Sequence, residues 1–391
     1  MESIKDKVAI VGMGCSKFGE LWDKGSDDII IEAAYEAYED AGIGPEEIQA
    51  AWVGTINGMG GVTLSEPLKL NRIPVTRVEN FCATGHEALR NACFGVACGM
   101  YDIVLALGVE KLKDAGVGGL PVGRGFHPVM ESRRTGPGTF AFIATRYFHT
   151  YGLTPEEGKR TIGKISVKSH HNGNLCPKAH LHREVTLEQV VNAPLIAWPL
   201  GLFDCCGVTD GAACAILVRA EDARKFREDP IYIKGIGLST NQILPHFEPN
   251  FDWIGFPMNR EAARQAYEQA GIKNPRKEIS LAEVHDCFSI TELINYEDLG
   301  FSPQGRAKED IDAGSFTLEG ELPIQPDGGL KSFGHPIGAS GLRMTYECYK
   351  QLQGKAQLPE RQLKNVKLGL SHTLGGPPQV ACVLIVGNSL G

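Results

Sequence analysis

The sequence predicts an α/β protein made of two similar halves. The segment EAYEDAGI, residues 36–43, returns as QAYEQAGI, residues 265–272. Each copy is preceded by a β-like run that contains glycine, KVAIVGMG or IYIKGIG, and is followed by another such run, IQAAWVGT or ISLAEVHD. Strand, helix and strand in this order form the parallel unit of α/β folds. Because both halves open in the same way, we expect one structural unit to occur twice.

The repeat continues into two glycine-containing segments that each begin a helix. CATGHEALR, from Cys82, aligns with HPIGASGLR, from His335, so that Gly85 falls on Gly338. If the two copies pack about a pseudo-two-fold axis, their helix N-termini converge and the thiol faces the imidazole. A Cys–His pair can generate a thiolate, and the positive end of a helix lowers the pKa of a nearby thiol. The alternative for Cys82 is a small buried apolar side chain, the usual role of a free cysteine.

A second reactive segment, EVHDCFSITELI, closes the repeated strand of the C-terminal half. It places His285, Asp286 and Cys287 at a strand end, where open α/β sheets bind ligands. Cys287 could serve as an acid/base thiol and His285 as an oxyanion donor, or the cluster could simply be buried by its neighbours. Near the C-terminus, LSHTLGGPPQV contains a glycine turn at Gly375 whose N–H groups could form an oxyanion nest, with His372 beside it.

Composition limits the possible partners and compartments. The net charge of −8 argues against a nucleic-acid surface, and no uninterrupted apolar run is long enough to span a bilayer. The 11 cysteines are scattered and form no Cys-x-x-Cys pair, which is typical of a reducing compartment. The N-terminal segment has no apolar signal core, so we expect a cytoplasmic protein.

Residues 111–199 have no counterpart in the repeat and are rich in glycine, histidine and arginine. We expect them to form a loop domain over the site. The N-terminal half then comprises residues 1–110 and 200–228, and the C-terminal half comprises residues 229–391. Four histidines and one cysteine of the loop domain are spaced unlike any zinc motif, so no metal site is predicted there; they are His170, His171, Cys176, His180 and His182.

Several of these segments, in this order, resemble the thiolases. NFCATGHEALRNA is similar to the nucleophile loop of that family, GHPIGASG to its Gly-His-Pro loop, and DCCGVTDGAACAILV to the strand entry that closes the N-terminal half. The resemblance covers essentially the whole chain. The sequence His285-Asp286-Cys287-Phe288 places it with the sterol-carrier-type and archaeal branch, because the larger branch has Asn-Glu-Ala-Phe there. The C-terminal Cys-x-Gly of the larger branch is absent, and SHTLG stands in its place.

The resemblance implies a thiolase fold, with five layers in the order α-β-α-β-α, and a homodimer or tetramer. It implies coenzyme A as cosubstrate, no metal or redox cofactor, and for some members a small accessory subunit with a zinc ribbon and an OB-fold. The implied reaction is thiolytic cleavage of a 3-oxoacyl-CoA, or the reverse Claisen condensation. Cys82 is then the nucleophile activated by His335, and Cys287 is the second acid/base. His285 and His335 are candidate donors to the enolate oxygen, while the role of His372 stays open.

The acyl group is less well defined by the sequence. The aromatic stretch TFAFIATRYFHTYG could accommodate a bulky or aromatic acyl group, as in thiolases that act on 2-benzoylsuccinyl-CoA. Arg133, Arg134 and Arg146 could bind a carboxylate or a CoA phosphate. The alternatives are acetoacetyl-CoA as substrate, a non-catalytic scaffold in an acyl-CoA complex, and a ketoacyl synthase, which would have no use for a thiol at Cys287.

Overall fold

A computed structural model describes residues 3–114, 116, 135–241, 250–376 and 378–391. The strands are β1 (Val8–Cys15), β2 (Ala50–Gly54), β3 (Val75–Val78), β4 (Ile103–Glu110), β5 (Leu195–Ala197), β6 (Leu200–Gly201), β7 (Gly211–Arg219), β8 (Ile231–Thr240), β9 (Leu281–Glu283), β10 (Leu368–Gly375) and β11 (Val380–Gly387). The helices are α1 (Ser26–Ala41), α2 (Val62–Ser65), α3 (Thr84–Ala97), α4 (Gly136–Thr150), α5 (Pro155–Asn174), α6 (Leu187–Val191), α7 (Pro257–Ala270), α8 (Pro275–Glu278), α9 (Ser289–Asp298), α10 (Ala307–Asp312), α11 (Gly329–Ser332) and α12 (Ser340–Leu352).

Nine strands form one mixed sheet whose two parts match each other. The strand order is β3-β2-β4-β7-β1-β8-β11-β10-β9. The run β2-β4-β7-β1 and the run β9-β10-β11-β8 share one pattern, a parallel pair followed by two antiparallel pairs. The two runs meet where β1 pairs with β8 through only two residue pairs. The internal repeat predicted from the sequence is therefore confirmed in strand order and direction.

The helices and strands stack in five layers. Helix α1 covers one face of the N-terminal strands, and α7 covers the far face of the C-terminal strands. Helices α3 and α12 lie together between the two sets of strands, in an apolar cluster to which both sets contribute. This confirms the predicted α-β-α-β-α arrangement. Both outer helices of the repeat end at a glycine with left-handed φ, Gly42 (70°) and Gly271 (81°), as a helix C-cap favours.

Small residues let the two central helices approach at their N-termini. A Cβ atom on Gly85 of α3 would lie 2.8 Å from the carbonyl oxygen of Gly338, just before α12. A Cβ atom on Gly341 of α12 would lie 2.7 Å from the backbone nitrogen of His86. Both distances are far shorter than real Cβ contacts, so glycine is required on each side. The two repeated segments therefore converge as the alignment predicts, and Cys82 and His335 precede the helices that meet there.

The segment between β4 and β7 contains α4, α5, α6 and the two-stranded β5–β6 sheet. It packs mainly against the C-terminal half, where α4 and α5 share an apolar cluster with α7 and α9. The residue boundaries of the loop domain and of the two halves stay a prediction. In the described part of the chain, no helix combines the length and the apolar character that crossing a membrane requires.

Candidate active site

Cys82 lies in a tight turn immediately before α3. The preceding residue, Phe81, has a φ of 51°, a left-handed conformation that a non-glycine residue rarely adopts. The hydroxyl of Thr84, the first residue of the helix, accepts a hydrogen bond from the backbone N–H of Asn80 at 2.8 Å. This turn leaves Cys82 half-buried, whereas Ala83 behind it is fully buried. Strained turns of this kind are often found where a side chain is presented for chemistry.

The sequence predicts a lowered pKa for Cys82, and the structure shows the opposite. Burial of the sulfur raises the pKa of Cys82 to about 12. A hydrogen bond from the backbone N–H of Gly376 lowers the pKa, but the nearby charges of Glu79 and Glu110 raise it further. Desolvation therefore outweighs the helix N-terminus. In the empty site Cys82 is a neutral thiol, so forming its thiolate requires a base.

His335 has its lone pair available at one ring nitrogen. Its Nδ1 lies 2.7 Å from the hydroxyl oxygen of Ser340, and that hydroxyl donates to the carbonyl oxygen of Pro336 at 3.0 Å. The tautomer with the proton on Nδ1 lets Ser340 accept from the ring while it donates to Pro336, and this tautomer has its lone pair on Nε2. His335 Nε2 is buried and has no hydrogen-bond partner. Burial lowers the pKa of His335 to about 3, so the ring is neutral.

Cys82, His335 and His285 converge on one point. One ligand-type atom from each of the three side chains lies within 4.8 Å of the other two. The two imidazole rings meet edge to face, with centroids 5.2 Å apart. Burial and the neighbouring His335 lower the pKa of His285 well below its ordinary value. The structure thus brings together a thiol and two neutral imidazoles from the two halves.

Cys287 belongs to the same site. Only 3% of its surface is exposed, and its Sγ lies 3.7 Å from the hydroxyl of Thr291, one turn along α9. Burial raises the pKa of Cys287 well above its ordinary value, and the charge of Cys82 adds to that shift. The two thiols are therefore close enough to influence each other's ionisation, and the second proton of the pair is held more firmly than the first.

Asp286 connects this strand end to the loop that contains His335. Its carboxylate accepts a hydrogen bond from the backbone N–H of Leu330 at 2.6 Å and pairs with the ammonium group of Lys331 at 3.3 Å. Both charged side chains are fully buried, and Lys331 also pairs with Glu292 at 3.0 Å. Helix α11 is thereby fixed to the His285–Cys287 segment, and the chain continues from that helix to His335.

The sequence analysis missed a third thiol beside Cys287. The backbone N–H of Cys206 donates to the carbonyl oxygen of Cys287 at 2.9 Å, and Cys205 forms an antiparallel bridge with Phe288. Burial raises the pKa of Cys206 well above its ordinary value, and the charges of Cys287 and Cys82 add to that shift. The adjacent Cys-Cys pair in DCCGVTDG was the available signal, but nothing in its spacing links residues 205–206 to the C-terminal half.

His372 holds the backbone of His285 through a closed ring of four hydrogen bonds. His372 Nδ1 accepts from the His285 N–H at 3.4 Å, and His372 Nε2 donates to Asn259 Oδ1 at 3.1 Å. Asn259 Nδ2 donates to Asn295 Oδ1 at 2.7 Å, and Asn295 Nδ2 returns to the His285 carbonyl oxygen at 2.6 Å. Both ring nitrogens of His372 are therefore bonded within the protein. Sequence reasoning placed His372 near the site but could not identify Asn259 or Asn295.

The glycine turn after β10 lies against the Cys82 loop. A Cβ atom on Gly375 would be 2.9 Å from the Cβ of Phe81 and 3.0 Å from the carbonyl oxygen of Asn80. The next residue, Gly376, has a φ of 74° and supplies the N–H that points at Cys82. The glycine turn at Gly375 is thus next to the thiol, and its role as an oxyanion nest stays a prediction.

Comparison with known proteins identifies the family. The model of the thiolase N-terminal domain matches residues 8–119, and that of the thiolase C-terminal domain-like family matches residues 246–388. This chain belongs to the thiolase family. It is similar to an acetyl-CoA acetyltransferase of Methanothermobacter thermautotrophicus, with 36% identity over 97% of this chain and 98% of the relative.

Two further relatives confirm the branch predicted from His285-Asp286-Cys287-Phe288. The benzoylsuccinyl-CoA thiolase subunit BbsB of Thauera aromatica is 32% identical over 95% of this thiolase and 96% of the relative. Sterol carrier protein 2 of Oryctolagus cuniculus is 32% identical over 94% of this thiolase and 70% of the relative. Because its relatives are named as acyltransferases and thiolases, this chain is an enzyme of the acyltransferase class.

Solved structures confirm the fold. The Ltp2-ChsH2(DUF35) aldolase superposes with a TM-score of 0.86 at 24% identity, covering 99% of each chain. The Acat5 thiolase of Ascaris suum, solved in complex with coenzyme A, superposes with a TM-score of 0.70 at 18% identity and covers 98% of this thiolase and 100% of that chain. At these identities the likeness concerns the fold alone.

Other predicted site residues of this thiolase lie elsewhere or outside the described residues. Arg133 and Arg134 lie outside the described residues. Arg146 is on α4, where its Nε donates to the carbonyl oxygen of Asp252 at 3.2 Å. The histidines of the loop domain have separate partners: His170 packs on Phe203, His171 lies 2.9 Å from Glu184, His180 lies 3.0 Å from Thr209, and His182 lies 3.4 Å from the carbonyl oxygen of Asn174.

The proposed acyl-binding role of TFAFIATRYFHTYG does not fit the positions of its side chains. Phe140, Tyr147 and Phe148 are buried in the core of the C-terminal half, and Phe140 stacks on Phe288 with centroids 4.7 Å apart. Phe142 is 69% exposed. The helical period of α4 directs the large aromatic residues inward, because that face packs on α9. The stretch therefore supports the site from behind instead of lining an open acyl pocket.

His86 gives this thiolase a testable dependence of stability on pH. It is buried between the halves, with Nδ1 2.9 Å from Thr373 and Nε2 2.9 Å from Ser371, and burial lowers its pKa to about 3. Below about pH 6.5 the His86 imidazole binds a proton in the unfolded chain but not in the folded chain. The free energy of unfolding therefore falls as the pH drops towards 3. Between pH 7 and pH 5 this histidine should contribute about 2 kcal/mol to that loss.

We expect His86→Gln to reduce the difference in unfolding free energy between pH 7 and pH 5 by about 2 kcal/mol. Urea titrations of the wild type and the variant at both pH values measure it. His171→Gln removes an exposed histidine of α5 and serves as the matched control, which should keep the wild-type difference. An unchanged difference in His86→Gln would show that the imidazole is protonated in the folded protein.

Proposed function

We propose that this thiolase cleaves a 3-oxoacyl-CoA with free CoA through an acyl group carried on Cys82. The observation that carries the proposal is the unpartnered Nε2 of His335, buried in the cluster it forms with Cys82 and His285. A neutral imidazole with a free lone pair is the base that a thiol with a raised pKa needs. Neither side chain is charged before substrate arrives, so proton transfer and attack on the substrate carbonyl are coupled.

In the first half-reaction, His335 Nε2 takes the proton of Cys82, and the sulfur attacks C3 of the substrate. The bond between C2 and C3 breaks, which leaves an acyl thioester on Cys82 and the enolate of a shorter acyl-CoA. Cys287 donates its proton to C2. The N–H of Gly376 and that of Cys82 are the donors available to the tetrahedral oxyanion, each contributing about 3 kcal/mol. His285 and the protonated His335 are the donors for the enolate oxygen.

In the second half-reaction, the thiolate of Cys287 takes the proton of incoming CoA. The CoA sulfur attacks the acyl carbon on Cys82, the bond from that carbon to the Cys82 sulfur breaks, and the acyl group leaves as the second acyl-CoA product. His335 returns its proton to Cys82, which restores the starting state. Free CoA and the thioester are the only reactants, so atoms and charges balance without a redox step.

For the substrate, we propose a 3-oxoacyl-CoA with a bulky aromatic acyl group, such as 2-benzoylsuccinyl-CoA. The support is the 32% identity to a benzoylsuccinyl-CoA thiolase subunit over nearly the full length of both chains. Acetoacetyl-CoA is the second candidate, because the archaeal relative with 36% identity is named an acetyl-CoA acetyltransferase.

We also propose a homodimer or tetramer in the cytoplasm, and a small accessory subunit with a zinc ribbon and an OB-fold. The accessory subunit is supported by two names: one relative is a subunit, and one structural neighbour is a complex with a DUF35 protein. Co-purification from the native source tests the accessory subunit. A homo-oligomer with full activity by itself would contradict it.

The proposed function predicts CoA-dependent cleavage of at least one of the two candidate thioesters. The measurement is chromatographic quantification of both products after mixing enzyme, CoA and either acetoacetyl-CoA or 2-benzoylsuccinyl-CoA, with and without the co-purified subunit. We expect kcat/KM for the aromatic thioester to exceed that for acetoacetyl-CoA at least about tenfold, a difference of 1.4 kcal/mol in barrier. The reverse ratio would select acetoacetyl-CoA, and no cleavage of either would contradict the proposed function.

A further inference from the structure

The three converging side chains also form the donor set of a zinc site. The sulfur of Cys82 and one nitrogen each from His285 and His335 lie within 4.8 Å of one another. Zinc binds thiolate sulfur at about 2.3 Å and imidazole nitrogen at about 2.0 Å, so a tetrahedral ion would place these atoms about 3.3–3.6 Å apart. Each pair of ligand atoms must therefore approach by no more than about 1.5 Å to reach that geometry. Rotation of the side chains can supply a movement of this size.

The hydrogen bonds of His335 provide a second, independent observation. A zinc-bound histidine usually donates its other ring N–H to a fixed acceptor, which orients the ring towards the metal. His335 fits that arrangement in the tautomer with the proton on Nδ1, because Ser340 Oγ lies 2.7 Å from Nδ1 and 3.0 Å from the carbonyl oxygen of Pro336. Its Nε2 is left without any partner although the side chain is fully buried. A buried nitrogen without a hydrogen-bond partner, on a side chain of a thiol–imidazole cluster, is an atom that a metal ion can bind.

We propose that Cys82, His285 and His335 bind one Zn²⁺ ion as a reversible inhibitor. Binding exchanges the thiol proton of Cys82 for the metal, so one proton is released and no electron is transferred. Thiolate and imidazole ligands select zinc over magnesium, which prefers oxygen. Three protein ligands leave the fourth position to water. Inhibition rests on the proposed catalytic roles of Cys82 and His335, whereas binding of the metal does not.

The charges around the cluster favour a cation there. Glu79 and Glu110 are the acidic groups whose charges act on Cys82. Arg343 is the nearby opposing charge, but it is paired with Glu283 at 2.7 Å and with Asp327. The half-buried Cys82 supplies a path by which the ion can enter.

Binding is tested on the whole protein with Co²⁺ as a spectroscopic substitute for zinc. We expect one equivalent of Co²⁺ to produce a thiolate-to-cobalt charge-transfer band and the visible bands of tetrahedral cobalt, and one equivalent of Zn²⁺ to abolish them. Cys82→Ala should lose the charge-transfer band. Cys98→Ser, which removes an exposed thiol at the opposite end of α3 from Cys82, should keep it.

Ser340→Ala tests the geometry without removing a ligand. The substitution removes the hydrogen-bond partner that orients the ring of His335. We expect zinc affinity to fall about 10- to 100-fold, the usual effect of removing a residue that hydrogen-bonds to a metal-binding histidine. Undiminished cobalt bands in Cys82→Ala would overturn the proposal. Zinc affinities equal to that of the wild type in both Cys82→Ala and Ser340→Ala would also overturn it. If zinc binds as expected but neither candidate thioester is cleaved, the proposed function fails and the metal site stands.

Discussion

Cys82→Ala should lower kcat for thiolysis by at least about 10⁴-fold, because it removes the atom that carries the acyl group. The surrounding machinery would remain in place, since His335 is held by Ser340 and the Gly376 N–H belongs to a hairpin turn. The small cavity left by the sulfur should cost little stability at a half-buried position. Steady-state assays with the preferred 3-oxoacyl-CoA measure the change.

The matched control for this variant is Cys98→Ala. Cys98 is an exposed free cysteine at the end of α3, the helix that begins just after Cys82. We expect it to retain the wild-type kcat, which separates the loss of one particular thiol from the loss of any thiol on this helix. Thiolysis by Cys82→Ala within tenfold of the wild-type rate would assign the nucleophile elsewhere, with Cys287 and Cys206 the nearest alternatives.

Cys287→Ala should separate the two chemical functions of the site. Acylation of Cys82 by an acyl-CoA needs only a base and an attacking sulfur, so the variant should still be acylated. Exchange of the α-protons of the short acyl-CoA product with solvent needs a group next to the enolate carbon. We expect this exchange to fall about 10²- to 10⁴-fold, the usual contribution of a positioned acid/base. Deuterium incorporation from heavy water, followed by mass spectrometry, measures it.

Three comparison variants make that assignment specific. Cys382→Ala changes a fully buried thiol in β11 and should leave exchange at the wild-type rate. His372→Ala breaks the hydrogen-bonded ring around the His285 backbone, so both acylation and exchange should fall together. Cys206→Ala removes the thiol opposite Cys287. Wild-type exchange in Cys287→Ala combined with lost exchange in Cys206→Ala would mean that the wrong thiol had been assigned.

Much of the fold was predictable because the repeat is visible in short segments. Helices α1 and α7 both end at the alanine of an Ala-Gly-Ile sequence. The glycine adopts a left-handed φ in each, so the same residue type is retained in both halves. Close packing at Gly85 and at Gly338, its counterpart in the alignment, likewise preserves glycine in both copies of the central helix start. These local constraints allowed the repeated strand–helix–strand unit and the convergence of the two helix N-termini to be predicted from the sequence.

The electrostatics of the site were not predictable in the same way. The position of Cys82 at the N-terminus of α3 suggested a low pKa for its thiol. Burial raises that pKa by more than the helix lowers it. The atoms that bury the sulfur come from segments remote in sequence, so the sequence does not show this burial. The pairing of Cys206 with Cys287 and the hydrogen bonds through Asn259 and Asn295 are also long-range. Single polar residues without a repeat or a spacing pattern leave no signal that identifies their partners.

The aromatic stretch in α4 shows a further limit. Composition suggested a surface for an aromatic acyl group, but helical periodicity decides which rings reach solvent, and it directs Phe140, Tyr147 and Phe148 into the core. Reading the stretch by its period instead of by its composition would have indicated a packed helix.

The central claim is that Cys82 carries the acyl group after His335 removes its proton. The most direct test is to mix the wild-type enzyme with an acyl-CoA donor, quench with acid, and map the added acyl mass to a peptide by mass spectrometry. We expect one acyl group per chain, on the peptide that contains Cys82, and a slower appearance of that adduct in His335→Ala. An adduct on Cys287 or Cys206, or equally fast acylation without His335, would contradict it.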